Sequence, residues 1–233
     1  MDEIDDEVGG TVRHTMERGR VRFMGLELLA GPGALVARRE TEILGRTAID
    51  VLRGRGRAEL VIDMCCGSGN LACAIAAHVE EPEIHACDLT DGCVDLARRN
   101  VEKHGFGHRV RVHQGDLFEP LRALEALAGA VDVIVCNPPY ISTQKLEKDR
   151  VELLDHEPRE AFDGGPYGIA IHQRAVKDAL HFLKPGGVLL FEIGAGQAKQ
   201  VSILFNRARG YEEVRTVSDA TGEVRVVYST RKA

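Results

Sequence analysis

The sequence predicts an α/β fold in which a doubly wound, mostly parallel sheet of seven strands carries helices on both faces. Three observations predict it. Short apolar runs alternate with helical segments over residues 58–233, and such alternation is typical of a parallel sheet. Glycine supplies 25 of the 233 residues, and glycine-rich turns follow several of the apolar runs. With 44% hydrophobic and 28% charged residues, the composition is that of a folded globular domain.

The same composition argues against several classes of protein. The net charge of −6 is unfavourable for sequence-blind nucleic-acid binding, which needs clustered Lys and Arg. No apolar run is long enough for a membrane-spanning helix, and the acidic segment 1–7 lacks the layout of a signal peptide. None of the six cysteines has the paired spacing of a zinc site. We therefore expect a cytoplasmic protein with no membrane or metal site, whose cysteines are buried as small hydrophobic residues.

Two segments precede the alternating pattern. Residues 1–18 are polar and lack periodicity, which predicts a flexible acidic arm. Residues 20–29 predict a short hairpin that is followed by the turn Gly31-Pro32-Gly33, and apolar spacing predicts a helix over 38–52. The Arg-Gly run 53–57 is predicted to be a solvated linker. The predicted units are thus the arm (1–18), a leading hairpin, helix and linker (19–57) and the main domain (58–233).

The main domain supplies the predicted sheet and its covering helices. The strands are predicted at residues 60–64, 84–88, 109–113, 131–136, 188–193, 211–217 and 224–229, with the last two as an antiparallel pair. The helices are predicted at residues 70–79, 91–104, 172–183 and 197–209, with Lys184-Pro185-Gly186-Gly187 as a stop after the third of them. Ligands in such sheets bind beyond the carboxyl ends of the strands, so functional residues are expected just after each strand.

The first strand runs into a glycine-rich turn, Asp-Met-Cys-Cys-Gly-Ser-Gly-Asn, which opens a helix. Gly67 and Gly69 allow a sharp turn and the close approach of a ligand. The third glycine of a dinucleotide pattern is replaced by Ala72, and the Lys-Ser/Thr pair of a P-loop is absent. The turn favours a nucleoside ligand, although a plain strand-to-helix turn has the same pattern. Its candidate ligand-binding residues are Asp63, Gly67, Gly69 and Asn70.

Acidic residues end the next two strands. Asp88, followed by Leu89, is suited to accept hydrogen bonds from the two hydroxyls of a ribose. A helix-capping role is the alternative for an acid at this place, although Thr90 or Asp91 already fills it. Asp116 can accept from the exocyclic amine of adenine while Leu117 gives apolar cover, or it is an ordinary loop aspartate.

The fourth strand ends in Asn137-Pro138-Pro139-Tyr140, the most specific motif of the chain. The two prolines stiffen the backbone and remove two donors. The Asn137 side-chain oxygen and the Pro138 carbonyl can then accept both N–H bonds of a planar –NH2 group, and Tyr140 offers a flat face beside it. Such a grip can aim the nitrogen lone pair at an electrophile, and alignment of this kind can account for roughly 7–11 kcal/mol of a barrier.

In this order the glycine turn, the two acids and the Asn-Pro-Pro-Tyr motif resemble the Rossmann-like class I S-adenosylmethionine-dependent methyltransferases. Over about residues 19–229 the chain resembles, more narrowly, the HemK/PrmC family of protein-glutamine methyltransferases. The further segments that carry this resemblance are Arg22-Phe23-Met24-Gly25-Leu26, Arg39-Glu40-Thr41-Glu42, His156-Glu157-Pro158-Arg159, Asp163-Gly164-Gly165, Pro185-Gly186-Gly187, Glu192-Ile193-Gly194 and Arg225-Val226-Val227.

The resemblance implies S-adenosylmethionine as the cofactor, S-adenosylhomocysteine as its product, and an N-methyltransferase activity. The implied acceptor is the side-chain amide of the glutamine in the Gly-Gly-Gln loop of a peptide chain release factor. The residues implied to hold the cofactor are Gly67, Gly69, Asp88, Asp116 and, beside the methyl group, Asn137. The residues implied at the acceptor nitrogen are Asn137, Pro138 and Tyr140. The further candidates for substrate contacts are Arg39, Glu40, Glu42, Pro139 and Glu157.

Other functions stay open at this point. Bacterial members of the family usually begin with a helical docking domain, which we do not expect from the short acidic segment before the hairpin. A small molecule with a flat –NH2 group, such as free arginine or an amide metabolite, is therefore the first alternative substrate. A guanidinium would need a carboxylate to orient it and to take its proton. A nucleic-acid base and a non-catalytic binding module are weaker alternatives.

Overall fold

A computed structural model of the chain describes residues 12–56, 58–149 and 157–233. It confirms the predicted α/β class, with one mostly parallel seven-stranded sheet preceded by a two-stranded hairpin. Within these residues no helix is both long and apolar enough to cross a membrane. Residues 1–11 of the predicted arm, Arg57 of the predicted linker and His156 lie outside the described residues.

The predicted elements occur in the predicted order, with some differences in their bounds, and α1 and α5 are added to them. The helices are α1 (Val12–Arg18), α2 (Arg39–Arg53), α3 (Asn70–His78), α4 (Asp91–Lys103), α5 (Thr143–Asp149), α6 (Ala170–Phe182) and α7 (Ala198–Ala208). The strands are β1 (Arg20–Phe23), β2 (Leu26–Leu29), β3 (Leu60–Met64), β4 (Glu83–Asp88), β5 (Val110–Gln114), β6 (Val131–Cys136), β7 (Leu183–Glu192), β8 (Arg215–Ser218) and β9 (Val224–Thr230).

The order of the strands positions the site. The sheet runs β5-β4-β3-β6-β7-β9-β8, with β9 antiparallel to both of its neighbours and the other pairs parallel. The chain moves outward from β3 through β4 to β5 and then returns to the other side of β3 with β6, so the crevice expected of such a sheet lies at β3. Met64 pairs with both Cys87 and Cys136. Asp88 and Asn137, which follow those two cysteines, therefore lie at the same edge of the sheet.

Side chains of the central strands alternate between two apolar layers. Val61 and Val133 belong to the cluster that packs against α2, α3 and α4, whereas Ile62 and Ile134 belong to the cluster with α6 and α7. All four are fully buried. Burial on both faces explains why these strands are apolar runs in the sequence, each interrupted by a single aspartate.

The segment predicted to stop the helix before the fifth strand of the sheet is itself part of β7. The helix does end before it, at Phe182, but the strand begins at once with Leu183. Val131 pairs with Leu183 and Val133 with Val188, so the Lys-Pro-Gly-Gly segment forms an irregular bulge at the start of the strand. A bulge accommodates the proline and the glycines because the extra residues do not need ladder hydrogen bonds.

Other predictions of local structure need correction. Residues 12–18 of the predicted flexible arm form α1, in which Thr15 is buried and Met16 packs on the core. Arg55 of the predicted solvated linker hydrogen-bonds the Gly186 carbonyl and lies 3.9 Å from the buried Asp132. The strand predicted at 211–217 is only Arg215–Ser218, preceded by an isolated bridge at Tyr211. Helix α5 was not predicted.

Candidate active site

A cavity opens at the carboxyl ends of β3, β4 and β6. It is an open cleft, and the space inside it has a volume of about 120 Å³. Residues predicted from the sequence line much of it: Gly67, Asn70, Asp88, Leu89, Asp116, Leu117, Asn137 and Pro139. The other lining residues are Leu35, Met64, Cys65, Cys66, Ser68, Cys87, Thr90, Cys93, Gly115, Pro158, Glu160, Ala161 and Ile171.

The two glycines of the turn have different roles. Gly67 lines the cavity with φ +54°, and no heavy atom lies within 4 Å of the place where a Cβ would be. Gly69, at φ +76°, begins α3, and a Cβ there would lie 3.1 Å from the Ala97 Cβ on α4. Gly67 thus leaves room for a ligand, whereas Gly69 allows two helices to approach closely.

Asp63, which the sequence predicts as a cofactor contact, lies beneath the turn and is not among the residues that line the cavity. It is fully buried, and its Oδ2 accepts a hydrogen bond from the Ala72 amide at 2.9 Å. Its Oδ1 is buried without a hydrogen-bond partner among the described residues. Burial raises the pKa of Asp63 to about 8, so the carboxyl is mostly neutral near pH 7. It ties β3 to the start of α3.

Asp88 is held by the backbone on both of its oxygens. Its Oδ2 accepts from the Gly67 amide at 2.9 Å and its Oδ1 from the Thr90 amide at 3.3 Å. The Thr90 hydroxyl accepts in turn from the Cys93 amide and caps α4. Because each carboxylate oxygen can accept more than one hydrogen bond, Asp88 keeps capacity toward a ligand in the cavity. The glycine turn and the carboxylate are therefore fixed relative to each other.

Asp116 lines the cavity and pairs with a cation that the sequence did not indicate. Its Oδ2 accepts from Arg174 Nη2, on α6, at 2.7 Å. The two side chains are 42% and 47% exposed, respectively, so the pair is close to solvent. Leu117, next to it, is buried at φ +51°, an uncommon conformation for a side chain of this kind. The pair leaves one carboxylate oxygen of Asp116 available to a ligand.

Asn137 presents its side chain to the same cavity. Its Nδ2 donates to the Thr41 hydroxyl oxygen at 3.2 Å, so its Oδ1 is the atom left to accept a hydrogen bond. Pro139 also lines the cavity, whereas Pro138 is buried. An acceptor nitrogen at this place would meet an oxygen whose orientation is set by the protein.

Tyr140 and its loop are held from behind the cavity. The Tyr140 ring packs on Gly194, where a Cβ would lie 2.9 Å from the ring, and its hydroxyl donates to Glu192 at 3.5 Å. Gln197 Nε2 donates to the Tyr140 carbonyl at 2.8 Å. Gly168, at φ +69°, packs directly against the same carbonyl. Tyr140 does not line the cavity, so its contribution is to fix the loop that carries Asn137.

Two of the predicted substrate carboxylates lie on α2 and face different ways. Glu42 Oε1 accepts from the Met24 amide at 3.2 Å and Glu42 Oε2 pairs with Arg46 at 2.6 Å. This carboxylate joins α2 to the hairpin, away from the cavity, and its prediction as a substrate contact is not supported. Glu40 is 45% exposed and lies 3.6 Å from Arg225, so of the two it is the one that a substrate can reach.

Glu157 holds together two segments that cover the cavity. Its side chain is 1% exposed, its Oε1 accepts from the Val36 amide at 2.8 Å, and its Oε2 pairs with Arg38 at 2.5 Å. Leu35, which precedes Val36, and Pro158, which follows Glu157, line the cavity. This placement argues against the predicted contact of Glu157 with a substrate. Arg39, by contrast, is exposed at the start of α2, which leaves its prediction as a substrate contact open.

Sequence reasoning missed two residues that lie behind Asn137. Thr41 and Glu192 are each 1% exposed, and burial raises the pKa of Glu192 to about 7. The Thr41 hydroxyl and Arg225 oppose that shift. Glu192 ends an apolar strand, as Asp88 does, and this position was the signal that could have found it. Thr41 carried no such signal because it is one polar residue in an amphipathic helix.

The residues of the cavity fit the predicted cofactor. A Cβ at Gly67 would fill the space beside the turn, which is open to an extended part of the cofactor such as its methionine portion. Asp88 and Asp116 supply acceptors for hydroxyl and amine groups, and Leu35, Leu117 and Ile171 supply apolar walls for a base. No group of three His, Cys, Asp or Glu side chains in the described part of the chain is arranged to hold a metal ion. The six cysteines are free thiols, and all except Cys65 are buried, as expected.

Comparisons with known proteins agree with this picture. Residues 41–166 match a family model described as the methyltransferase small domain. The chain is 38% identical over 209 residues to a release factor glutamine methyltransferase of Geobacter sulfurreducens, covering 90% of this chain and 70% of that protein. It is 26% identical to a release factor-specific protein-(glutamine-N5) methyltransferase of Alicyclobacillus acidocaldarius, with a TM-score of 0.50 and coverage of 88% and 99%. A 16S rRNA N2 methyltransferase of T. thermophilus, solved with AdoMet and guanosine, shares the fold at 19% identity and a TM-score of 0.63, with coverage of 91% and 50%.

Proposed function

Because the chain belongs to the family of release factor glutamine methyltransferases and is an S-adenosylmethionine-dependent methyltransferase, we propose that it methylates the side-chain amide of a glutamine in a peptide chain release factor. The observation that carries this proposal is the Asn137 side chain at the edge of the cavity. Its nitrogen is engaged by Thr41, so its oxygen is the group that faces a ligand. A carbonyl oxygen at this place suits a primary amide, which has two N–H donors and a weakly nucleophilic nitrogen.

The cofactor would be held by residues on three strand ends. Asp88 would accept from the ribose hydroxyls and Asp116 from the adenine amine, while Leu117 covers the base. The backbone at Gly67 would leave room for the methionine part. When bound, S-adenosylmethionine supplies a methyl group on a positively charged sulfur, which makes that methyl electrophilic.

The acceptor amide would be held beside it by the loop that starts at Asn137. The Asn137 oxygen would accept one N–H of the glutamine amide, and the Pro138 carbonyl would accept the other. Holding both hydrogens fixes the plane of the amide and aims its nitrogen into the cavity. The contacts of Gln197 and Gly168 with Tyr140 keep the loop in place before an acceptor arrives, so that little ordering is needed on binding.

A panel of acceptors tests this function. The full chain is incubated with methyl-labelled S-adenosylmethionine and each of four acceptors: a release factor, the same release factor with its Gly-Gly-Gln glutamine replaced by Glu, free arginine and a DNA oligonucleotide. We expect label on the intact release factor alone, and peptide mass spectrometry should place one methyl group on the glutamine. Label on free arginine or on the oligonucleotide in place of the release factor would replace the proposal with that substrate class. Equal labelling of the Glu variant would refute the glutamine assignment.

A further inference from the structure

Two buried polar side chains lie directly behind Asn137, and neither of them lines the cavity. Thr41 is in the first turn of α2, and Glu192 is the last residue of β7. Asn137 Nδ2 donates to the Thr41 hydroxyl oxygen at 3.2 Å. The Thr41 hydroxyl lies near enough to the Glu192 carboxylate to lower its pKa, and the Tyr140 hydroxyl donates to Glu192 Oε1 at 3.5 Å. Glu192 Oε2 is buried without a hydrogen-bond partner among the described residues, so it is free to accept from a hydroxyl beside it. These contacts connect the side chain that faces the acceptor to a buried carboxylate.

The direction of the hydrogen bonds in this chain follows from the number of hydrogens available. A threonine hydroxyl has one hydrogen to donate, and an ionised carboxylate can only accept. When Glu192 is ionised, Thr41 donates to it and must accept from Asn137, which turns the Asn137 oxygen toward the cavity. When Glu192 is protonated or absent, Thr41 is able to donate to the Asn137 oxygen instead. The amide would then turn its NH2 group toward the acceptor, where two donors face each other.

We propose that Thr41 and Glu192 are positioning residues that fix the orientation of the Asn137 amide, so that its oxygen faces the acceptor nitrogen. This inference rests on the proposed function for the identity of the acceptor, and it adds two residues that do not touch the acceptor. It also gives the buried Glu192 carboxylate a role in orienting the site.

The surroundings of Glu192 make this orientation sensitive to pH near neutrality. Burial raises the pKa of Glu192 to about 7, and the nearby Glu40 adds to the rise while Arg225 opposes it. His172 Nε2 lies 3.2 Å from the Glu192 backbone oxygen, and burial lowers the pKa of His172 to about 4, so the imidazole is neutral in this range. The titratable and charged groups that act on the carboxylate are thus Glu40 from α2, Tyr140 from the loop after β6 and Arg225 from β9, while His172 from α6 contacts the backbone of the same residue.

A spectroscopic titration tests the proposal without any acceptor. The side-chain ¹⁵N–¹H signals of Asn137 are followed in the full chain from about pH 5.5 to about pH 8.5, and the signals are assigned by their loss in Asn137→Ala. We expect the pair of signals to shift with a midpoint near pH 7, because that is where Glu192 ionises. Glu192→Gln and Thr41→Val should each abolish the shift, and Thr41→Ser should keep it. A wild-type signal that does not move through this range, or one that moves equally in Glu192→Gln, would overturn the proposal.

Kinetics give the second readout. Loss of a neutral hydrogen bond worth about 1.4 kcal/mol corresponds to a tenfold change in a rate constant. Thr41→Val should therefore lower kcat about tenfold and leave the KM for S-adenosylmethionine unchanged. Thr41→Ser should restore kcat to within about twofold of wild type. Wild-type kcat in Thr41→Val would overturn the proposal. If the wild type methylates no release factor, the proposed function fails, and the titration still decides whether Glu192 orients Asn137.

Discussion

Removing the Glu157 carboxylate should loosen the two segments that cover the cavity. The carboxylate is buried, and it accepts from the Val36 amide at 2.8 Å and pairs with Arg38 at 2.5 Å. In Glu157→Ala the buried Val36 amide loses its partner, which costs about 1–3 kcal/mol. Arg38 is 30% exposed and can turn to water, so the lost ion pair adds about 1 kcal/mol or less. We expect a total loss of about 1–4 kcal/mol in the free energy of unfolding.

The assay combines urea denaturation with calorimetric titration of S-adenosylmethionine. Leu35 and Pro158, which adjoin Val36 and Glu157 along the chain, line the cavity, so a loosened cover should weaken cofactor binding about tenfold, or about 1.4 kcal/mol. Glu157→Gln keeps an oxygen for the Val36 amide and should lose less than half as much on both measures. Glu125→Ala, at an exposed position away from the cavity, is the control. Unchanged unfolding and unchanged affinity in Glu157→Ala would refute the reasoning.

Three further substitutions test other parts of the site. Burial raises the pKa of Asp63 to about 8, so the folded state keeps a proton that the unfolded state releases near pH 4. The contribution of this group to the free energy of unfolding therefore falls as the pH rises toward 8. Asp63→Asn should remove that part of the decline, as measured by urea midpoints at pH 5, 7 and 9. Arg174→Ala should weaken S-adenosylmethionine binding by about two- to fivefold in calorimetry, with part of the loss restored by Lys, because its pair with Asp116 is half-exposed. Gly168 has φ +69° and lies against the Tyr140 carbonyl, so Gly168→Ala should cost about 1–2 kcal/mol of stability. The substitution should also lower kcat, while cofactor affinity changes by less than about threefold. A wild-type kcat would show that the loop does not depend on this contact.

The sequence predicts those parts of the fold that local patterns encode. The apolar runs of β3 and β6 are buried on both faces, so their bounds could be read directly. The start of β7 could not, because Pro185 and Gly186 are turn signals locally and only pairing with β6 places them in a strand. Helix α1 was missed because its seven residues are mostly polar and its few contacts with the core come from distant parts of the chain.

The residues of the candidate site also divide into those that local patterns predict and those that only tertiary packing brings together. Gly67, Asp88 and Asn137 were predicted because each follows a strand, and the parallel sheet brings strand ends together. Thr41 meets Asn137 only through the packing of α2 on the sheet, since about a hundred residues separate the two. Glu192 lies near Asn137 because β7 pairs with β6, although it is about fifty residues away along the chain. Glu157 was predicted to touch a substrate because it is an acid in a motif. Its burial against Val36 is a tertiary contact that spacing along the chain does not encode.

The central claim is that Asn137 holds the acceptor nitrogen while other residues hold the cofactor. The most direct test measures, on one preparation of Asn137→Ala, methyl transfer to a release factor and binding of S-adenosylmethionine. Removing a single preorganised polar contact to a reacting group costs about 100-fold or more in kcat, so transfer should fall by at least that factor while the Kd for the cofactor stays within about threefold. Transfer by Asn137→Ala at close to the wild-type rate would contradict the claim.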